Sequence, residues 1–250
     1  LSKTELKIIW KDYFSIFPWE LLNKENSIGA DIGCGTGRWA EFVLPHVKKL
    51  YLIDPSYQAL NIAQDKLKNF NNVKYDNSGV EALPFKDNSL DFAYSLGVLH
   101  HVPDIARAFS DISKKLKKGA PLLIYLYYSM ENKPKWFIIL WKITDFMRRV
   151  IVKLPYRLRF MISQIIALVI YLPIILIGRL LKLCKLLPKN WPLDYYIDKS
   201  FYVIRNDALD RFATSLENRY SKQDIIQLFL NSGFDDIKFS EKEPYWCASA

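Results

Sequence analysis

Ile28-Gly29-Ala30-Asp31-Ile32-Gly33-Cys34-Gly35-Thr36-Gly37 is an apolar run that breaks into a loop with glycines at alternate positions. Glycine has no Cβ, so such a loop lets the backbone come within van der Waals distance of a ligand. A second apolar run, Leu50-Tyr51-Leu52-Ile53, ends in Asp54 about twenty residues further on. An acid at that spacing can hold both hydroxyls of a ribose. The combination predicts a site for a nucleoside-containing small molecule where two parallel strands end.

The charge beside the loop narrows the ligand. Dinucleotide sites use G-x-G-x-x-G ahead of a helix whose N-terminus faces a pyrophosphate. Here Asp31 precedes the loop, where an acid repels phosphate and suits positive charge. S-Adenosylmethionine, with its ammonium and sulfonium, satisfies that sign, and a dinucleotide does not. Asp31-Ile32-Gly33-Cys34-Gly35-Thr36-Gly37 resembles motif I of the class I S-adenosylmethionine-dependent methyltransferases, and Asp54 is similar to that family's ribose-binding acid. Glu81-Ala82-Leu83-Pro84-Phe85, then Asp87-Asn88-Ser89-Leu90-Asp91-Phe92, and the segment Ser95-Leu96-Gly97-Val98-Leu99-His100-His101-Val102-Pro103-Asp104 resemble the small-molecule, type 11-like subgroup. The likeness runs over 25–127 and resumes over 221–250. It implies S-adenosylmethionine as cofactor, held by Asp31, Gly33, Cys34, Gly35, Gly37, Asp54, Pro55, Gly79, Val80, Glu81, Ser95, Leu96 and Gly97. One position departs from the pattern. Family members commonly carry an Asp two residues before the Glu, accepting a hydrogen bond from the adenine amino group, and here that position is Gly79. Either another group, such as Ser78, takes that contact or it is missing.

With 250 residues, 50% of them hydrophobic, the chain can bury one α/β core and has material left for a cap. Cys34, Cys184 and Cys247 lack metal-ligand spacing, so reduced thiols and no metal are expected, with Cys34 a small residue that fits its loop. No secretory leader pattern precedes the first strand, and a cytoplasmic protein is expected. Periodicity predicts helix within 4–23, strands near 27–31, 50–53, 73–75, 91–95 and 121–127, and helices near 37–45, 58–70 and 104–117. Gly119, just past Lys117-Lys118, reads as the stop of the last of these helices. Ser221 and Asp224 read as the cap of a helix Lys222–Asn231 that stops at Gly233, before a final strand pair, Phe234–Phe239 and Pro244–Ser249, with Trp246 packed inward. This rhythm predicts an α/β fold with a doubly wound parallel sheet, and the family resemblance implies the fuller form: a mostly parallel, seven-stranded Rossmann-like sheet with an antiparallel terminal strand, here with an inserted helical cap. The expected layout is an N-terminal helical lid over 1–24, a cofactor-binding domain over 25–128 and 206–250, and a helical insertion over 129–205. The first segment carries two readings, a lid closing over the cofactor or a helix packed on the sheet.

The insertion holds Trp136 to Trp141, a basic stretch through Arg148, Arg149, Lys153, Arg157 and Arg159, and an uncharged run of nineteen residues from Phe160 to Gly178. Between Lys133 and Lys189 twelve Lys or Arg face one acid, Asp145; this net +11 exceeds the chain's total of +9, so the remainder carries −2. Three readings compete. The run is long enough to span a bilayer, but Ser163, Gln164 and Pro173 lie within it and cations flank both ends, whereas spanning helices keep them on one side. It can be a helical cap over the active site, or an in-plane element on an anionic membrane surface, where each cation contributes on the order of 1 kcal/mol. The last two are compatible, since a cap touching the inner membrane face would deliver a lipid-linked substrate to a peripheral protein. Nucleic acid also attracts positive charge, but these cations sit beside aliphatic runs rather than stacking platforms, which disfavours it.

Methyl transfer from a sulfonium is an in-line displacement, and holding the reactants in that pose supplies roughly 7–11 kcal/mol. A hydroxyl acceptor gains from a general base, and histidine is the suitable type. His100 and His101 follow the fourth strand at the mouth of the site. Neighbouring side chains diverge, so His101 is assigned as base and His100 as cofactor neighbour. Tyr128, Tyr202 and Arg205 flank the insertion where it leaves and rejoins the sheet, and are the candidate substrate contacts; Arg205 suits a phosphate or carboxylate. The leading reading is O- or C-methylation of a small or lipid-linked acceptor. A non-catalytic binding module and an RNA or protein methyltransferase are the alternatives. Against base-amino targets, the position after the fourth strand reads Ser95-Leu96-Gly97-Val98 rather than Asn/Asp-Pro-Pro-Phe/Tyr.

Overall fold

The computed structural model describes residues 3–131, 133–214, 216–242 and 246–250. Pro244, where the last strand is expected to begin, and residues 1 and 2 of the N-terminal segment lie outside them. The chain forms two compact units, one of residues up to 129 together with 218–250, the other Met130–Glu217.

Alternating side chains build the first unit as two cores on one sheet. Strands β1 (Ile28–Ile32), β2 (Lys49–Ile53), β3 (Val73–Asp76), β4 (Phe92–Leu96), β5 (Leu122–Tyr125), β6 (Lys238–Phe239) and β7 (Cys247–Ser249) lie in the order β3-β2-β1-β4-β5-β7-β6. The first five pair in parallel; β7 runs antiparallel to both β5 and β6. Leu50, Leu52, Phe92, Tyr94 and Leu123 are buried on one face, and Ala30, Ile32, Ala93, Leu122 and Ile124 on the other. Burial on both faces is why these strands read as near-continuous apolar runs. Helices α1 (Lys3–Tyr13), α2 (Ala40–Val43) and α3 (Tyr57–Leu67) cover the first face, while α4 (Ile105–Lys115) and α9 (Lys222–Asn231) cover the second. The order reverses between β1 and β4, which opens a crevice at the carboxyl ends of the strands.

The N-terminal segment is part of this core. Phe14 meets Tyr94 edge-on at 5.2 Å, Phe17 meets Phe92 at 6.0 Å, and Trp10 lies 5.6 Å from Phe42. Of the two readings of this segment, these contacts are those of a helix packed on the sheet.

Three boundaries differ from expectation. The helix expected over 37–45 shrinks to α2, because Gly33, Gly35 and Gly37 all take positive φ and hold 33–39 in turns. Helix α4 ends at Lys115, not beside Gly119: Leu116 turns extended and bridges to Leu90, and Gly119 (φ +76°) belongs to the turn entering β5. Of the last pair, the described residues place strand at Lys238–Phe239, shorter than 234–239, and at Cys247–Ser249, with Trp246 in a turn. At α9 the expectation holds: Ser221 and Asp224 form a reciprocal capping box, and Phe234 N–H to Phe229 O with Gly233 N–H to Leu230 O closes a Schellman turn.

The second unit is helical. It contains α5 (Lys135–Ile151), α6 (Tyr156–Ile166), a π-helical turn at Ala167–Tyr171, α7 (Leu172–Leu183) and α8 (Phe201–Ala213). Pro173 follows the π turn, which absorbs the missing N–H without breaking the helix. The insertion extends to 217 rather than 205, because α8 shares a buried cluster with the π turn and α7: Ile204 and Ala208 with Ala167 and Ile175. Residues 206–217 therefore belong to the insertion and not to the sheet-bearing domain.

Candidate functional site

The glycine loop is fastened to the end of β2 twice over. Gly33 and Cys34 donate their N–H groups to Ile53 O at 2.8 and 3.0 Å. Asp54 Oδ2 accepts from Gly35 N–H at 2.8 Å, and its Oδ1 accepts from Ser56 N–H at 2.8 Å. A carboxylate has about four lone-pair sites, so Asp54 keeps one on each oxygen for hydroxyl donors. Its role as loop clamp was not visible in the sequence. The glycines serve different needs: a Cβ on Gly33 would lie 2.4 Å from Val98 Cγ1, whereas one on Gly35 would meet nothing within 4 Å. Gly35 thus has open space where a ligand can approach. Cys34 is buried and its thiol is pushed up strongly by burial, with Asp31 and Asp54 adding, so it is an inert filler.

Asp31 is 1% exposed, within β1 and opposite Tyr94 of β4. Burial raises its carboxyl to about 8; the Tyr94 hydroxyl pulls the other way and Asp54 adds to the rise. Its Oδ2 lacks a well-formed hydrogen bond. A buried acid left so poorly paired has the chemistry to receive a cation, since burying a charge is costly unless it is paired.

Beyond β2 in the sheet order lies the end of β3. Asn77 Nδ2 donates to Asp54 O at 2.9 Å, joining the two strand ends. Ser78 Oγ is buried with no hydrogen-bond partner. The Glu81 carboxylate folds back over Gly79, its oxygens 2.3 and 2.5 Å from where a Cβ on that glycine would sit. Glu81 therefore occupies the space in which an Asp side chain at position 79 would begin. Val80 packs into the second core and Pro55 is exposed at the strand end.

On the other side of the crevice, Ser95 is fully buried and its hydroxyl donates to Ile32 O at 2.7 Å. That side chain ties β4 to β1, which leaves only its backbone and that of Leu96 and Gly97 (φ +78°) toward the crevice. His100 and His101 follow in a 3-10 turn, Leu99–His101. Their rings do not diverge as expected: they lie 4.1 Å apart. His100 is fully buried and stacks on Tyr127 at 3.8 Å. Burial, with His101 and Arg219 adding, pushes its pKa down to about 2, so it stays neutral at any physiological pH. His100, expected beside the cofactor, is thus a neutral ring in the core, and His101, the residue expected to act as base, is half-buried.

Sequence reasoning missed Tyr127 and Arg219. The Arg219 guanidinium lies 5.2 Å from the centre of the Tyr127 ring, and its Nη1 donates to Tyr128 O at 3.2 Å. The parallel bridge Tyr128–Tyr220 makes this junction, where the chain returns from the insertion; a lone Arg at that return point was the available signal. Tyr128 thus sits beside the β5 end of the site. Tyr202 and Arg205 lie on α8 in the inserted unit, both exposed, with Arg205 Nε donating to Gln164 Oε1.

Comparison with known proteins agrees with this geometry. Residues 30–124 match the family model of a methyltransferase domain, Methyltransf_11. The uncharacterized methyltransferase YcgJ of Bacillus subtilis is 28% identical over 104 residues, 41% of this chain and 41% of that protein. The ubiquinone/menaquinone biosynthesis C-methyltransferase UbiE of Campylobacter jejuni is 30% identical over 133 residues, 50% of this chain and 55% of that protein. The tRNA U34 carboxymethyltransferase of Nautilia profundicola is 28% identical over 120 residues, 45% of this chain and 40% of that protein. The chain spans about half or less of the length of these relatives. Residues 30–124 are a class I methyltransferase domain, and S-adenosylmethionine is the cofactor that goes with it.

Proposed function

We propose that this chain transfers the methyl group of S-adenosylmethionine to an oxygen or carbon of a small or lipid-linked acceptor. The observation that carries this reading is the glycine loop clamped by Asp54, with the poorly paired acid Asp31 beneath it where a dinucleotide site would need to welcome phosphate. The cofactor supplies an electrophilic methyl on a sulfonium, so the protein's work is orientation and removal of a proton. In this reading the backbone of Gly33–Gly37 lies along the amino-acid end of the cofactor, Asp31 receives its ammonium, and Asp54 accepts from the ribose hydroxyls. His101 takes the acceptor's proton, and Tyr128 borders the acceptor. The name of the UbiE relative favours carbon as target. That of the tRNA relative points to RNA, and the lack of an Asn/Asp-Pro-Pro motif after β4 argues only against base amino groups as targets.

His101→Gln is expected to lower kcat by about 10²–10⁴-fold, read as S-adenosylhomocysteine formed with phenol and quinol acceptors. Its affinity for S-adenosylhomocysteine in titration calorimetry should be unchanged. Normal binding with no turnover on any acceptor would establish the binding-module alternative instead.

The adenine end has its own test. Ser78 Oγ and the Glu81 carboxylate stand where the family's Asp is absent, and we assign Glu81 as acceptor of the adenine amino group. Glu81→Ala should weaken S-adenosylhomocysteine binding about tenfold, a charge-assisted hydrogen bond being worth 1.5–3 kcal/mol. The wild-type preference for that compound over its 6-oxo (inosine) analogue should shrink by the same factor. An unchanged preference would show that Glu81 does not read the base.

A further inference from the structure

Two helical stretches of the inserted unit turn apolar stripes outward. Along α5 the exposed stripe is apolar: Ile139, Ile143, Phe146 and Val150 are 59, 55, 69 and 53% exposed. Its buried face carries one ion pair, Arg148 Nε to Asp145 Oδ1 at 2.9 Å, both residues 7% exposed. Although burial opposes it, Arg148 and Arg149 hold the Asp145 carboxyl below the usual range, so the buried pair is ionised. A helix in a water-soluble unit shows the reverse arrangement. The helix Tyr156–Leu183 likewise turns an apolar stripe outward. Ala167 and Ile175 are buried with Ile204 and Ala208 of α8, and Gly178 lies against Trp191 and Ile197, whereas Ile165, Val169, Leu176 and Leu180 face outward, 50–62% exposed. This helix of 28 residues is long and apolar enough to cross a membrane, yet only 22% of its most apolar stretch is buried.

Length alone would permit a span; its neighbour does not. Helix α8 packs along α6 and carries Arg205, Asp207, Asp210 and Arg211, and Arg205 bonds to Gln164 within the apolar run. A spanning α6 would draw these charged residues into hydrocarbon, which costs several kcal/mol for each. An in-plane seat keeps α8 on the watery side and sinks only the opposite stripe into the acyl boundary. Charge names the occupant. Lys135, Lys142, Arg149, Lys153, Arg157 and Lys182 are exposed around the apolar stripes, in a segment whose net charge is +11. A second copy of this face would set like charge against like, whereas anionic headgroups complement it.

We propose that the inserted unit seats this chain in the plane of an anionic lipid bilayer through the outward stripes of α5 and α6–α7. The surface stands apart from methyl transfer. Its corollary, that the acceptor partitions into lipid, rests on the reading of the preceding subsection.

The test is flotation of the full chain with vesicles of phosphatidylcholine alone or doped with phosphatidylglycerol. Binding to the doped vesicles is expected, at least tenfold weaker on the neutral ones and weakened by high salt. The double variant Ile143→Ser, Phe146→Ser should lose at least tenfold in vesicle binding while retaining wild-type affinity for S-adenosylhomocysteine, which certifies its fold. Release of the bound chain by alkaline carbonate is expected for an in-plane seat. A chain that stays with the lipid until detergent is added would overturn the in-plane mode. Failure to float with either vesicle, or self-association that the double variant abolishes without any lipid binding, would overturn the membrane proposal and leave the cofactor site untouched.

Discussion

Asp54→Ala is expected to weaken S-adenosylhomocysteine binding by at least 100-fold and to lower the melting temperature. The substitution removes two interactions that precede any ligand: the acceptors for Gly35 N–H and Ser56 N–H, both at 2.8 Å. Hydrogen bonds to a charged group contribute about 1.5–3 kcal/mol each. Losing the pair costs several kcal/mol of stability, which for a chain of this size is a fall of roughly 5–15 °C. The same residue is assigned the ribose hydroxyls, so the variant loses both the shape of the loop and a direct contact. Asp54→Asn separates the two effects. Its single acceptor oxygen can serve only one of the backbone amides, and its affinity should lie between those of the wild type and the alanine variant. Calorimetric titration with S-adenosylhomocysteine measures all three, and an alanine variant that binds within threefold of wild type would remove Asp54 from the site.

What could be read before folding and what could not divide along physical lines. The strands were legible because burial on both faces demands unbroken apolar runs, and β1 and β2 announce themselves by the glycines and the acid at their ends. The capping box at Ser221 and Asp224 was legible because it is local. The extent of α2 was not, since whether a glycine takes positive φ depends on what surrounds it, such as Val98 against Gly33. The Gly119 signal misled because Leu116 left the helix to pair with Leu90, a contact 26 residues away in sequence that no local stop signal encodes. The two histidines were found by their place after β4, but what surrounds His100, the Tyr127 ring and the Arg219 guanidinium, arrives from other parts of the chain. In the insertion, periodicity revealed apolar stripes without saying which way they face. Only the burial of Asp145 and Arg148 against the exposure of Ile143 and Phe146 shows which way α5 is turned.

The Asp31→Asn variant should be more stable than the wild type at pH 8 and a poorer binder of the cofactor. A carboxyl raised from 3.8 to about 8 keeps its proton in the folded chain over a range where the unfolded chain has lost it. Because the folded state then binds the extra proton, stability falls as pH rises from about 4 to about 8. Asparagine carries no such penalty, so the variant gains on the order of a few kcal/mol at pH 8 and nothing at pH 4. Thermal melts across that window should show the two curves converging at the acid end. A ligand with an ammonium group needs the carboxylate charged, and its binding must expel the proton. Wild-type affinity for S-adenosylhomocysteine should therefore climb as pH rises from about 6 toward 8, and calorimetry in buffers of different ionisation enthalpy should report close to one proton released per ligand near neutrality. In Asp31→Asn the climb and the release should both vanish, with affinity at pH 8 at least tenfold below wild type. Stability given up at a buried acid is then the source of binding strength for a cationic ligand, a trade that sites of this kind make repeatedly. Equal melting temperatures at pH 8, or binding without proton release in the wild type, would mean that Asp31 is already ionised in the free chain and has no part in selecting the cofactor's charge.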